Sequence, residues 1–290
     1  MVNPLYPFEG RYFDLGGAKM HYLDEGAGPP VVMLHGNPTW SFYYRNLVLA
    51  LRRKHRCIVP DHIGCGYSDK PGDELYSYML ARRVEDLELL LDSLDVRKNI
   101  TLVVHDWGGM IGMAYAVRHP ERIARLVVMN TSAFHLPKTK SFPWPLWIVR
   151  HTALGAFLVR GFNAFSAVAA RVCVTRKPLP PEVRRMYTDP YGTWRDRIAT
   201  LRFVQDIPLR LGDESYDIVT NVQENVGLFR ATPTMIFWGM KDFVFDHHFL
   251  ALWEQHFPHA EIHRFDDCGH YVLEDAAEEI IRQTRRFLES

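Results

Sequence analysis

The chain has 290 residues, with 34 Lys and Arg set against 34 Asp and Glu and a sequence pI near 7.3. That balance excludes an electrostatic nucleic-acid binder and argues against a membrane-surface protein, while 47% hydrophobic and 23% charged residues exclude disorder. A chain this long buries enough surface to fold without a disulfide or metal staple.

Four cysteines, Cys57, Cys65, Cys173 and Cys268, stand without C-x-x-C spacing. Residues 1–20 lack the continuous apolar run of a signal peptide. Both features point to a reducing, cytoplasmic compartment.

Arg11 to Asp24 alternates around Gly16-Gly17 and predicts an antiparallel hairpin. After the turn at residues 26–30, Val31 to Leu34 is a short apolar run suited to a strand buried on both faces. Further strands are expected at Cys57 to Pro60, Ile100 to Val104, Leu126 to Asn130, Thr234 to Trp238 and Glu261 to Phe265. Helical periodicity covers Ser77 to Leu94, Gly108 to Arg118, Phe249 to His256 and Glu274 to Leu288. The most apolar stretch, Pro143 to Val174, is interrupted by Arg150, His151, Arg160 and Arg171. It predicts packed helices with an apolar face and no membrane span, and within it Trp144 to Val174 is where a homo-oligomer would hide an interface.

Strand and helix alternate up to Asn130 and again from Thr234, which means an α/β fold with a mostly parallel, doubly wound sheet. The roughly one hundred intervening residues carry many aromatics and prolines but no strand pattern, and predict a helical cap over the carboxyl ends of the strands. The expected division is a core over 1–134, a cap over 135–220 and the rest of the core over 221–290. A second independent domain is the alternative, although neither end of the insertion has linker-like composition.

Chemistry concentrates at Val103-Val104-His105-Asp106-Trp107-Gly108-Gly109, a strand entering a glycine-rich turn and then a helix. It resembles the nucleophile elbow G-x-S-x-G, with aspartate in the serine's place and His105 in the first glycine's. Such a turn lifts one side chain above the sheet and aims backbone N–H groups at it, which keeps Asp106 ionised. An isolated aspartate here would merely cap the helix, but the two glycines and the partners below give it chemical company. A carboxylate attacking a saturated carbon gives an ester that water can cleave, whereas serine would give a stable ether. Asp106 therefore points to displacement at a saturated carbon.

His270 lies in Asp267-Cys268-Gly269-His270-Tyr271, a loop after the last expected strand, where the chain order nucleophile, acid, histidine places the base. The acid orienting it comes from one of two strand ends. Asn130 ends the first and cannot bear the charge; Asp242 follows the second and fits, with Asp246, Asp266 and Asp267 as weaker rivals. Across the switch point, His35-Gly36-Asn37-Pro38-Thr39-Trp40 faces the elbow. The backbone N–H groups of Asn37 and Trp107 are expected as an oxyanion hole, and the Asn37 amide with the Trp107 indole as a halide pair.

These stretches, with Asp61-His62-Ile63-Gly64-Cys65-Gly66-Tyr67-Ser68-Asp69-Lys70-Pro71, resemble the haloalkane dehalogenase family of α/β-hydrolases over roughly 190 residues of core. The resemblance implies the α/β-hydrolase fold, Asp106 as nucleophile, His270 as base and Asn37 with Trp107 as halide pair. Combining Asn37 with Asp242 resembles the branch that also holds β-lactone decarboxylases of long-chain olefin biosynthesis.

Haloalkane dehalogenase is thus the leading expectation, with water and a small apolar halide as reactants and an Asp106 alkyl ester as intermediate. β-Lactone decarboxylation is the alternative. An epoxide hydrolase would need a cap tyrosine such as Tyr187, Tyr191 or Tyr216, and a non-catalytic receptor is the fourth reading. No dinucleotide fingerprint or metal-ligand motif is present, so no cofactor or metal is expected, and His247-His248 reads as a surface pair. Phe134, Phe142, Trp144, Trp147, Phe157, Phe162, Phe165 and Trp194 are candidates to line an apolar tunnel, about half of them as ordinary cap core.

Overall fold

The computed structural model describes residues 3–289. Eight strands form one sheet: β1 (Arg11–Asp14), β2 (Lys19–Glu25), β3 (Pro30–Leu34), β4 (Arg56–Pro60), β5 (Ile100–Asp106), β6 (Ile123–Thr131), β7 (Thr234–Gly239) and β8 (Glu261–Phe265). Their spatial order is β1-β2-β4-β3-β5-β6-β7-β8, with β1-β2 and β2-β4 antiparallel and the remaining pairs parallel. Every residue of β5 is buried, including Thr101, His105 and Asp106, as befits a central strand covered on both faces.

The core helices are α1 (Arg45–Leu51), α2 (Leu80–Ser93) and α3 (Trp107–Arg118). The insertion holds α4 (Trp144–His151), α5 (Ala153–Phe162), α6 (Ala164–Val172), α7 (Pro181–Thr188) and α8 (Ile198–Gln205). The chain returns through α9 (Tyr216–Asn225), α10 (His247–His256), α11 (Val272–Asp275) and α12 (Ala277–Glu289). Side-chain alternation sends Val32, Leu34 and Val104 into a core layer with α2, α3 and α10, and Val31, Met33 and Val103 into the opposite layer with α1 and α12.

Two expectations shift. The short helix α1 lies outside the expected elements, because seven residues give too few turns for a period to show. Helix α9 packs on α3, so the chain rejoins the core before the expected boundary at 220. Between β3 and β5 the chain leaves in opposite directions along the sheet, and this switch point lies beneath the cap.

Candidate active site

Asp106 is the last residue of β5 and directly precedes α3, with φ of 52° and ψ of −127°. Few side chains tolerate that backbone, and here the surroundings enforce it. The Thr131 hydroxyl donates to the Asp106 carbonyl. A Cβ at Gly108 would fall 2.0 Å from the Leu34 carbonyl oxygen, and one at Gly109 2.0 Å from Thr131 Oγ1. A Cβ at Gly36 would lie 2.0 Å from Asp106 Oδ1 itself, so the glycine makes room for the carboxylate. The glycines seen in the sequence are thus points of backbone contact around one side chain.

Asn37 donates its backbone N–H to Asp106 Oδ1 at 2.6 Å. His270 Nε2 lies 3.5 Å from Asp106 Oδ2, and His270 Nδ1 lies 2.7 Å from Asp242 Oδ2. The other oxygen of Asp242 accepts from the N–H groups of Val244 at 2.7 Å and Phe245 at 3.1 Å, which fixes its plane. Burial alone would raise the Asp106 carboxyl, but the hydrogen bond and charge of His270, with the Asn37 N–H, hold it below the ordinary carboxylate value. Burial likewise opposes a charged His270, yet Asp242 and Asp106 on its two sides outweigh it and raise the imidazole to about 10. The resting site therefore holds an imidazolium between two carboxylates.

The two donors expected for a leaving group differ in their engagement. Asn37 uses its side-chain Nδ2 to donate to the Thr200 carbonyl at 3.0 Å, while its Oδ1 is buried without a partner. The Trp107 indole borders the cavity, packs on Phe203 at 5.3 Å and has no hydrogen bond among the described residues.

Asn130 stands apart from His270. Its Oδ1 accepts from the Gly239 N–H at 2.7 Å, and its Nδ2 donates to Gly239 O at 3.0 Å. It ties β6 to the turn that carries Asp242. Two buried histidines, His35 and His105, and the buried Asp61 also serve as scaffold. His35 donates from Nδ1 to Gly36 O at 2.8 Å and accepts the His62 N–H at 3.0 Å. Asp61 anchors its loop by accepting from Ser41 N at 2.6 Å and Tyr67 N at 3.0 Å. His105 stacks on Tyr43 at 4.4 Å and donates from Nε2 to the His270 carbonyl at 2.9 Å, a support that sequence reasoning missed. Burial, followed by the charge of His270, pushes the His105 imidazole down to about 3, so it stays neutral.

Above Asp106 lies a cavity of about 360 Å³, lined almost wholly by apolar side chains of the cap and of the Phe243–Phe245 segment. Phe134, Phe142, Trp144 and Phe165 border it. Trp147, Phe157, Phe162 and Trp194 do not; they lie exposed on the outside of the cap, because helices here are apolar on both faces. None of Tyr187, Tyr191 and Tyr216 borders the cavity, which removes the oxirane-protonating groups that an epoxide hydrolase needs. Asp246, His247 and His248 cluster closely enough for a cation, but Lys140 Nζ occupies Asp246 at 2.6 Å.

The family model for the alpha/beta hydrolase fold matches residues 29–277. A cis-3-alkyl-4-alkyloxetan-2-one decarboxylase of Shewanella oneidensis is 58% identical over 99% of this chain and 91% of its own length. The protein of the same name from Xanthomonas campestris pv. campestris is 46% identical, covering 100% and 99%. Haloalkane dehalogenase 2 of Mycobacterium tuberculosis is 29% identical, covering 95% and 93%. The crystal structure of haloalkane dehalogenase DatA from Agrobacterium tumefaciens superposes with a TM-score of 0.85 at 26% identity, covering 97% of this chain and 96% of that one. The expectation of a haloalkane dehalogenase is overturned by this ranking, since full-length likeness to decarboxylases is far higher than to dehalogenases. The chain belongs to the α/β-hydrolases, in the branch related to the haloalkane dehalogenases.

Proposed function

We propose that this enzyme is a β-lactone decarboxylase that converts a cis-3,4-dialkyl-oxetan-2-one to a cis-alkene and CO2. The observation that carries the reading is the 58% identity, over nearly the whole of both chains, to a decarboxylase of such lactones. The apolar cavity above Asp106 suits two alkyl chains flanking a small polar ring.

Asp106 attacks C4 of the lactone, the saturated carbon that bears the ring oxygen. The C4–O bond breaks, an Asp106 ester forms, and the substrate's carboxylate is released on C3. The Asn37 amide has a second N–H beyond the one given to Thr200, and the Trp107 indole N–H is free; both are donors for the oxygen that gains charge. The C3–carboxylate bond then breaks to release CO2, its electron pair forms the C3=C4 bond, and the C4–O bond to Asp106 breaks to restore the aspartate. No water and no proton are consumed.

His270 is then no activator of water. Its charge, held by Asp242, steadies Asp106 between cycles and offers a donor to the carboxylate freed in the first step. Inversion at C4 followed by anti elimination gives net syn loss of CO2, so a cis-lactone yields a cis-alkene. We place the reaction in a reducing, cytoplasmic compartment.

Incubating purified protein with a cis-dialkyl lactone, and separately with 1-haloalkanes, tests the reading. Alkene from the lactone is the expected result. Halide release with no alkene would reject it.

A further inference from the structure

We propose that the outer face of α4, α5 and α6 docks on an anionic lipid bilayer, with the mouth of the active-site cavity turned toward the hydrocarbon.

The solvent side of α5 is apolar. Leu154 is 63% exposed, Phe157 51%, Leu158 40% and Phe162 66%, a spacing that sets them on one helical face. Trp144 on α4 is 73% exposed and Trp147 51%; Val168 and Val172 on α6 extend the patch. A monomer surface seldom leaves so much contiguous apolar area uncovered. No single helix among the described residues is long and apolar enough to cross a membrane; α5 and α6 pass that test only as a pair, bent by 78°. At 10 and 9 residues each helix is about half the length of a span, which suits a pair lying in an interface.

Charge selects the occupant. The chain as a whole is neutral, yet between Thr131 and Pro181 it has seven Lys and Arg and no acidic residue. Lys140, Arg150 and Arg176 are neutralised by Asp246, Asp213 and Asp267 from neighbouring elements. Lys138 before α4, Arg171 in the last turn of α6 and Lys177 beyond it are exposed, with no acidic partner among the described residues. Arg160 lays its guanidinium over Trp194 at 4.7 Å, a cation resting on an exposed aromatic ring. Exposed tryptophan and phenylalanine beside unpaired cations match the chemistry of a headgroup–acyl boundary with negative lipid.

The patch continues into the cavity, since Trp144, Leu158, Val168 and Val172 belong to both. The benefit of this placement rests on the lactone reading, because a dialkyl lactone partitions into lipid; the docking itself does not.

Flotation of the full chain with vesicles tests the surface. With phosphatidylglycerol mixed into phosphatidylcholine the protein is expected to float, and with phosphatidylcholine alone to float about tenfold less. Molar salt should release part of the bound protein. The double variant Phe157→Glu/Phe162→Glu, outside the cavity lining, should lose binding at least about tenfold and keep its turnover of a water-dispersed short-chain lactone. Arg171→Gln/Lys177→Gln should lower the preference for anionic vesicles. The proposal is overturned if wild type stays with the soluble fraction at both compositions, or if Phe157→Glu/Phe162→Glu floats equally well. It is also overturned if that variant turns an oligomer into monomers in sedimentation velocity, because a second copy would then cover the face. Vesicle binding without lactone turnover would reject the functional reading and leave the docking intact.

Discussion

His270 Nε2 stands 3.5 Å from Asp106 Oδ2, beyond a strong hydrogen bond but within ion-pair reach, while its Nδ1 is held at 2.7 Å by Asp242. The imidazolium is thus fixed by the acid and left facing the nucleophile without blocking it. Replacing Asp106 removes the attacking atom but none of the glycine and Thr131 contacts that shape the elbow. Asp106→Ala should lower turnover at least about a hundredfold with the folded state retained by circular dichroism; a smaller loss would remove covalent catalysis by this residue.

Asp242→Asn takes away the charge that keeps His270 protonated and should slow turnover by roughly a thousandfold. Asn130→Ala acts differently. It strips two partners from buried Gly239, costing about 1–3 kcal/mol of stability and a melting shift of several degrees, with a smaller effect on rate. Calorimetry and lactone turnover on both variants separate the roles; a greater rate loss in Asn130→Ala would reassign the acid.

The pH response is set by His270. Its folded value, about 10, exceeds the ordinary 6.5, so its contribution to stability is full below about 6.5 and fades as pH rises through about 10. Asp106 has the opposite sign: held low in the fold, it contributes above the ordinary carboxylate range and loses that contribution as pH falls through its own value. Lactone turnover needing the imidazolium should be flat near neutrality and fall as pH approaches 10. A rate that climbs over that range would mean that neutral His270 acts as a base.

Gly36→Ala is a test of space. Its Cβ would sit 2.0 Å from Asp106 Oδ1 and 2.3 Å from Asp106 Cβ, so the carboxylate would have to leave the Asn37 N–H and the backbone on one side would have to shift. A loss of turnover of about a hundredfold is expected, since misplacing an attacking atom by about 1 Å has that effect, together with a lower melting temperature from the backbone shift.

Much of this was legible in the chain. The buried strands announced themselves as short apolar runs, and the elbow, His270 and Asp242 by their places after strands. The helical cap was legible too, but its lining was not, because α5 and α6 are apolar toward solvent as well as inward, so periodicity could not tell Phe165 on α6, which borders the cavity, from Phe157 on α5, which does not. His105 was opaque for another reason: its role is a bond to the His270 carbonyl, 165 positions away. The dehalogenase expectation failed because Asp106, His270, Asp242, Asn37 and Trp107 suit either displacement. Those five residues do not distinguish an ester that is hydrolysed from one that loses CO2.

Turnover of a cis-dialkyl lactone in H2¹⁸O, with the alkene quantified and the Asp106 peptide weighed afterwards, bears most directly on that difference. Loss of CO2 returns Asp106 with its own oxygens, so the expected result is one cis-alkene per lactone consumed and an unlabelled peptide after many turnovers. A β-hydroxy acid as product, with ¹⁸O in the Asp106 carboxylate, would mean that water cleaves the ester and that the enzyme is a hydrolase.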